Sequence, residues 1–191
     1  MRLNKRYLYV FILFICIFSV LFIGFLIEKK KMHDDSKDYL QIKFESNDIL
    51  KISNKLPLSD NLGKNIKYDD SLNGSVGYLD FSIVNKSLKS RKYNITINKH
   101  AVDSREINDN YIKVYLTDMD DKPLKGFSDN RVITYNELHF SKKNVENVVL
   151  FSDSVEKLSK KNYRLRVWVS DSYGISKLDE SIILDVGIEG I

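Results

Sequence analysis

The three histidines are the first candidates for chemistry, because imidazole is the commonest metal ligand among side chains. His33, His100 and His139 are separated by 67 and 39 residues. The chain has no HxH, HExxH or CxxC spacing of the kind that places zinc ligands together. We therefore expect three surface histidines and no metal site.

A cluster of aspartates, Asp118, Asp120 and Asp121, offers the oxygen ligands that Ca²⁺ prefers. An EF-hand loop that started at Asp118 would need Gly at its sixth position and Glu at its twelfth, where this chain has Pro123 and Asp129. Asp and Pro are also common turn formers. The sequence favours a hairpin-like turn here, with Ca²⁺ binding as the alternative.

Nucleophilic and cofactor chemistry have no support in the sequence. There is no GxSxG motif, and the single cysteine, Cys16, lies within an apolar segment rather than near a histidine. The chain has only 8 glycines and no glycine-rich phosphate loop. We expect no catalytic residues, no cofactor and a protein that is not an enzyme.

Aromatic and arginine side chains on two predicted strands form a possible partner-binding face. This face consists of Tyr111, Tyr115, Arg164, Arg166 and Trp168. Exposed Trp and Tyr among arginines are typical of binding surfaces. In the alternative interpretation, loops cover the face and the Arg stems pack with Trp168 as a second small core. We expect the ring of Trp168 to be covered, because large rings on sandwich strands are more often packed than bare.

Composition and charge restrict the class of protein. The chain has 191 residues, of which 43% are hydrophobic and 29% charged, as in a globular domain rather than a disordered or disulfide-stapled chain. Residues 28–191 contain 27 basic and 26 acidic residues, a net charge of +1. Such a balance gives no basic field for DNA or RNA, so we expect no nucleic-acid partner.

The segment YLYVFILFICIFSVLFIGFLI, residues 7–27, has no charged residue. Its 21 residues, as a helix, would extend about 31 Å, the thickness of a bilayer's hydrocarbon core. A signal peptide has a shorter apolar core of about 7 to 15 residues and a small-x-small exit, which the sequence GFLIE lacks. We predict an uncleaved transmembrane helix at 7–27, with Cys16 buried in it, so that the lipid bilayer is one partner of the chain.

The orientation of this anchor depends on a nearly tied charge count. Arg2, Lys5 and Arg6 precede the segment, and Lys29, Lys30, Lys31 and Lys37 follow it. The short basic tail at 1–6 is typical of a cytoplasmic end, and the later lysines are interspersed with acids. We predict a cytoplasmic N-terminus, a linker at 28–38 and an extracytoplasmic domain at 39–191.

Beyond the linker, the hydrophobic pattern changes to period 2, which indicates β-strands. Alternating or short apolar runs occur at 40–44, 49–52, 79–83, 93–97, 112–116, 131–135, 148–151, 163–169 and 182–188. Turn-forming clusters separate them, and no long amphipathic helix is predicted. Seven to nine short strands predict an all-β antiparallel sandwich of Ig-like or fibronectin-III-like order.

Five further stretches are informative as longer patterns: KISNKLPLSDNLGK, DNYIKVYLTDMDDKPLKGF, VITYNEL, VVLFSD and KKNYRLRVWVSDSYGIS. Together they resemble a group of uncharacterised membrane-anchored β-sandwich proteins from low-GC Gram-positive bacteria. The resemblance covers about residues 49–188 and is most specific in YRLRVWVSDSYG. It implies an Ig-like sandwich on a membrane anchor and brings no catalytic residues with it.

Two functions of different classes agree with these observations. In the first, the sandwich is an interaction module at the cell envelope that binds a protein or glycan. In the second, the chain is a structural subunit of a larger membrane assembly, in which the helix at 7–27 packs against other helices. The small residues Ser19 and Gly24 are five apart, so the segment lacks a GxxxG seam, which favours the first function.

Overall fold

The computed structural model describes residues 15, 17–24, 39–46, 48–53, 56–103, 105–127, 131–174 and 180–191. The chain divides into two compact units, Met1–Tyr39 and Leu40–Ile191. In the first unit, residues 17–24 are helical. Among the described residues, no helix has the length and apolar character needed to cross a bilayer. The basic tail at 1–6, most of the predicted anchor at 7–27 including Cys16, and the linker at 28–38 lie outside the described residues.

The second unit consists mainly of β-strands. In chain order the described strands are β1 (Leu40–Phe44), β2 (Ile49–Ile52), β3 (Gly77–Asn85), β4 (Arg91–His100), β5 (Arg105–Glu106), β6 (Ile112–Thr117), β7 (Ile133–Thr134), β8 (His139–Phe140), β9 (Asn147–Val155), β10 (Lys160–Val169) and β11 (Glu180–Gly190). Two one-turn helices, α1 (Asp60–Gly63) and α2 (Tyr68–Ser71), lie between β2 and β3. Short 3-10 helices occur at Asp109–Tyr111, Tyr135–Glu137 and Asp171–Tyr173. Each of the nine predicted segments overlaps a strand. The sequence did not predict β5 and β8, because two residues are too few to show an alternation of apolar and polar side chains.

The strands form two antiparallel sheets. The first sheet has the order β1-β3-β10-β6-β7, and the second has the order β2-β11-β4-β9-β8. β5 pairs in parallel with β11 at its N-terminal end. The predicted all-β sandwich is therefore confirmed.

The order of the strands is not that of an Ig-like or fibronectin-III-like sandwich. In those folds the last two strands pair in one sheet, whereas here β10 and β11 lie in different sheets. The pairs are nested instead, with β2 on β11, β3 on β10, β4 on β9 and β6 on β7. Nested pairing of this kind is the double Greek key of a jelly roll. Alternation reveals which face of a strand is buried but not which strand lies beside it, and so the Ig-like prediction was wrong.

The core lies between the two sheets and is built from the apolar face of each long strand. Leu79, Phe81 and Ile83 of β3 are buried, and so are Leu165 and Val167 of β10. The intervening residues of β3 are only partly buried, as the period-2 pattern predicts. Full burial of one such side chain stabilises the fold by about 1.5 to 3 kcal/mol.

The second half of strand β10 is buried on both of its faces. The outer face of its second half carries Arg166 and Trp168, which are as inaccessible as the core residues beside them. The covering chain is residues 56–76, hereafter the cover segment, which contains α1 and α2. Gly63 of α1 lies against the ring of Trp168, where an added Cβ would be 2.0 Å from the Cε2 atom of the ring.

This contact predicts the effect of Gly63→Ala. Alanine gains up to about 1 kcal/mol over glycine in a helix, but overpacking a rigid contact costs about 1 to 3 kcal/mol or more. Because the ring is fully buried and cannot move aside, we expect a net loss of about 1 to 2 kcal/mol in the free energy of unfolding. Denaturant titration followed by the fluorescence of Trp168, the single tryptophan of the chain, measures it.

Leu62→Ala is the matched control, because Leu62 precedes Gly63 in α1 and is exposed. It should change the unfolding free energy by less than about 0.5 kcal/mol. A Gly63→Ala variant as stable as the parent would contradict the packing of α1 on Trp168.

Candidate binding site

The structure places the five residues of the predicted binding face mostly under other parts of the chain. Trp168 is 0% exposed, and Tyr115 and Arg166 are also buried. Arg164 and Tyr111 are partly buried. The face is therefore covered, as the packing interpretation expected, and its buried members do not form an open surface.

The cover segment is attached to the edge of this face by backbone hydrogen bonds. The N–H of Leu58 donates to the carbonyl of Val169 (2.9 Å), and the N–H of Asp171 donates to the carbonyl of Leu58 (3.1 Å). Farther along the segment, Nε of Arg166 donates to the carbonyl of Ile66 at 2.8 Å. The buried guanidinium thus also satisfies a carbonyl of the chain that covers it.

The two tyrosines of the predicted face have separate packing roles. The rings of Tyr115 and Phe127 meet edge to face, with centroids 6.2 Å apart. Tyr111 belongs to the 3-10 helix before β6, and its ring packs on Tyr173 at 4.8 Å. These contacts assign both tyrosines to the packing beneath loops.

Two arginines and two aspartates form a charge-balanced network on the outer face of β10. Arg164 binds Asp80 through two parallel hydrogen bonds, Nε to Oδ1 (2.9 Å) and Nη2 to Oδ2 (3.0 Å). Arg164 and Arg166 both donate to Oδ1 of Asp121. The hydrogen bonds that Arg164 donates to Asp80 raise the pKa of Arg164 above its usual value, although burial opposes this. Partly buried charges need such pairing, since an uncompensated one would be strongly destabilising.

The aspartate cluster forms the predicted turn. Oδ1 of Asp118 accepts from the N–H groups of Asp120 and Lys122, both at 2.9 Å. Asp121 has a left-handed backbone with φ of 61°, and its carboxylate faces the two arginines. Within the described ranges, no group of three or more His, Cys, Asp or Glu is placed to hold a metal ion. His100 pairs with Asp185 (2.9 Å), His139 is exposed, and His33 is outside the described residues.

Tyr78 of β3 connects the arginine network to the surface. Its ring lies 5.4 Å from the guanidinium carbon of Arg164 and 5.8 Å from that of Arg166. Its hydroxyl donates to Oδ2 of Asp80 at 3.1 Å. Burial and the nearby Asp80 carboxylate raise the pKa of Tyr78, so the hydroxyl remains a donor at neutral pH. The two guanidinium groups and the hydrogen bond to Asp80 hold the ring in one position.

Tyr78 also lines a cleft of about 270 Å³ between β2, α2 and the start of β3, hereafter the side cleft. Its other lining residues are Ser46, Ile49, Leu50, Lys51, Tyr68, Ser71, Leu72, Gly74, Val76 and Gly77. The volume is close to the lower limit, about 300 Å³, of typical small-molecule pockets. It suits one sugar ring or one side chain of a protein partner.

The side cleft combines exposed apolar groups with polar ones. Ile49, Tyr68 and Leu72 are 48%, 49% and 68% exposed. The ring of Tyr68 meets that of Tyr78 edge to face, at 6.2 Å and 75°. Lys51 and Ser46 add an ammonium group and a hydroxyl. Large apolar side chains that share one depression are typical of interaction sites, whereas isolated ones are ordinary.

Sequence reasoning did not identify this cleft, because its residues come from three separate parts of the chain. Ile49 and Lys51 belong to β2, Tyr68 and Leu72 to the region of α2, and Tyr78 to β3. One local signal was present, since Tyr68 and Leu72 are four apart and so share a face of a helical turn.

Comparison with known proteins adds little to this geometry. No protein-family model matches the chain, and no curated protein matches it significantly. Among solved structures, one similar chain is a family GH115 4-O-methyl-alpha-glucuronidase with specificity for decorated arabinogalactans. The identity is 15% and the TM-score 0.27, over 62% of this chain and 14% of that enzyme. A similarity of this size carries no argument about function.

The arginine network predicts a pH dependence of stability. Burial raises the pKa of Asp121, but the hydrogen bonds from Arg166 and Arg164 outweigh it and lower the pKa below the usual value. A carboxyl with a lowered pKa in the folded state stabilises the fold above its unfolded pKa, and this stabilisation is lost as the pH falls through the folded value. We therefore expect the parent to lose more unfolding free energy than Asp121→Asn between pH 5 and pH 2.

Asn is the matched substitution, because it keeps the shape of the side chain and tolerates the left-handed backbone. The difference should be about 1 kcal/mol or less, since the carboxylate is more than half exposed and solvent screens it. Denaturant titrations at each pH, again followed by Trp168 fluorescence, measure it. Parallel pH profiles of the two proteins would show that the arginines do not stabilise the ionised carboxylate.

Proposed function

We propose that the protein is a single-pass, membrane-anchored β-sandwich that binds a protein or glycan partner outside the cytoplasm, at the cell envelope, through its side cleft. The observation that carries this proposal is that three exposed apolar side chains, Ile49, Tyr68 and Leu72, line one cleft. Tyr78 forms the wall of that cleft and is fixed by the arginine network. Rigid aromatic groups lose little entropy on binding, which makes them good anchors.

The membrane anchor is supported by the first unit of the chain. Residues 17–24 are helical, and Phe18, Val20 and Leu21 among them are exposed. A helix that is apolar on all sides belongs in an apolar environment such as a bilayer. The resemblance to membrane-anchored β-sandwich proteins from low-GC Gram-positive bacteria supports the same location.

A binding role, rather than catalysis, suits the chemistry of the second unit. The carboxylates of Asp80 and Asp121 are engaged by arginines, and Asp118 caps its own turn. The jelly-roll order is found in lectin domains among others, so a glycan partner is compatible with the fold. The assignment itself rests on the cleft, because a fold hosts many functions.

Photo-crosslinking tests the cleft directly. A benzophenone amino acid in place of Tyr68 should capture a partner on intact cells, because its ring occupies the cleft. The same group in place of Leu62, which is exposed on the same cover segment, is the control and should capture none.

Once the partner is identified, Tyr68→Ala should weaken its binding by about tenfold or more without changing the unfolding of the sandwich. Capture from position 21 of the anchor, and not from 68, would favour a structural subunit of a membrane assembly.

The proposed orientation predicts the result of thiol labelling on intact cells. In a Cys16→Ser background, a cysteine in place of the exposed Ser172 should react with a membrane-impermeant reagent. A cysteine in place of Asn4, in the basic tail, should react only after lysis. The opposite pattern would reverse the orientation, and reaction at both positions would argue against a single span.

A further inference from the structure

One end of the sandwich brings together the point where the chain enters it and two turns that connect strands of different sheets. Leu40, the first residue of β1, lies opposite Asn85, the last residue of β3. The turn between β3 and β4 follows Asn85 directly. The turn between β9 and β10 lies at the same end, since Lys160 is opposite Val84 and Val155 is opposite Arg91. We call the segments 86–92 and 156–161 the entry end.

The two turns of the entry end are fixed to one another. The buried amide of Asn85 donates from Nδ2 to the carbonyls of Lys89, Val155 and Glu156, at 2.8, 3.2 and 3.0 Å. Leu158 also donates its N–H to the carbonyl of Ser87 at 3.1 Å. The two turns therefore present their tips as one rigid surface.

Each turn carries a leucine at its tip. Leu88 is 77% exposed and Leu158 is 65% exposed. Leu158 has φ of 50°, a left-handed conformation that Gly or Asn adopts more readily than leucine. A strained and exposed apolar residue on a rigid turn lowers the stability of the fold. Strain of this kind is concentrated at functional positions.

The leucines are surrounded by positive charge. The entry end contains seven Lys or Arg and one acid, Glu156, a net charge of +6. Residues 28–191 as a whole have a net charge of only +1, so the rest of this region is acidic on balance. Lys86, Lys89, Lys157 and Lys160 are exposed beside the two tips. Exposed apolar side chains with lysines in the same turns match a bilayer with anionic headgroups, where phosphates contact the ammonium groups and the leucines enter the acyl boundary.

We propose that the entry end is a docking surface for an anionic lipid bilayer, in which Leu88 and Leu158 insert and the four lysines contact headgroup phosphates. This inference rests on the proposed membrane anchor. The predicted linker has 11 residues and reaches at most about 36 to 40 Å, so an anchor at 7–27 would keep the entry end at high local concentration beside the bilayer. The side cleft lies at the other end of β3, where Gly77 and Tyr78 line it, and stays available when the entry end is docked.

The test uses the full chain in nanodiscs made of phosphatidylcholine alone or mixed with phosphatidylglycerol. A polarity-sensitive fluorophore is attached to Leu158→Cys in a Cys16→Ser background. We expect its emission to shift to the blue in the anionic discs, and high salt should reverse most of the shift. The same label at Leu62→Cys, an exposed leucine of the cover segment, is the control and should not shift. Replacement of Lys86, Lys89, Lys157 and Lys160 by Glu should abolish the shift, because each lysine near an anionic surface contributes roughly fivefold to binding.

Three outcomes would overturn the docking surface. The first is equal emission from Leu158→Cys in both kinds of disc, and the second is an equal shift from the Leu62→Cys control. The third is a blue shift in detergent without lipid that grows with protein concentration, which would assign the surface to a second copy of the chain.

Retention of the chain by membranes at alkaline pH is measured on the same samples and tests the anchor. A retained chain with an unshifted label contradicts docking alone, whereas an extracted chain with a shifted label contradicts the anchor alone.

Discussion

The outer face of β10 carries two guanidinium groups that the fold does not leave in open water, and much of the structure follows from the need to compensate them. Arg164 is mostly buried and Arg166 almost completely so. Burial of an unpaired charge would cost several kcal/mol. Two aspartates compensate these charges. Asp80 lies directly opposite Arg164 on the paired strand. Asp121 has a left-handed backbone conformation in its turn, and its carboxylate faces the arginines. The positions of β3 and of the aspartate turn are therefore linked to the charge on β10.

The cover segment completes the same arrangement. The carbonyl of Ile66 accepts a hydrogen bond from Arg166, and Gly63 allows the backbone to lie directly on the ring of Trp168. A side chain at position 63 would hold the segment away from this face. The edge of the cover segment then forms one wall of the side cleft, and Tyr78, held against both arginines, forms another. The buried network thus gives the cleft a rigid base.

The nested pairing of strands separates two surfaces along β3. The side cleft lies at its first residues, and the entry end follows its last residue. Each surface is stabilised by a buried polar side chain, Arg166 beneath the cover segment and Asn85 between the two turns. In the proposed arrangement one end contacts lipid and the other end contacts a partner, which is a suitable division for a domain on a short tether.

The sequence by itself determined the longer β-strands and the face of each that enters the core. In KKNYRLRVWV, the alternation of Leu165 and Val167 with Arg164, Arg166 and Trp168 is a local property of the backbone, because successive side chains of a strand point to opposite sides. The burial of Leu165 and Val167 follows that pattern. The aspartate turn could also be predicted from local sequence, because Asp118 accepts hydrogen bonds from N–H groups two and four residues away.

Only the tertiary structure decided which strands pair and whether the outer face of β10 is exposed or buried. Pairing of β10 with β3 joins residues about eighty apart, and no periodicity within either strand contains that information. Arg166 and Trp168 had the pattern of a solvent-facing row, yet they are buried because residues 56–76 cross over them. The side cleft arises from the same crossing, which brings Ile49, Tyr68 and Tyr78 together. Such contacts between distant segments depend on how the whole chain packs, and local pattern cannot specify them.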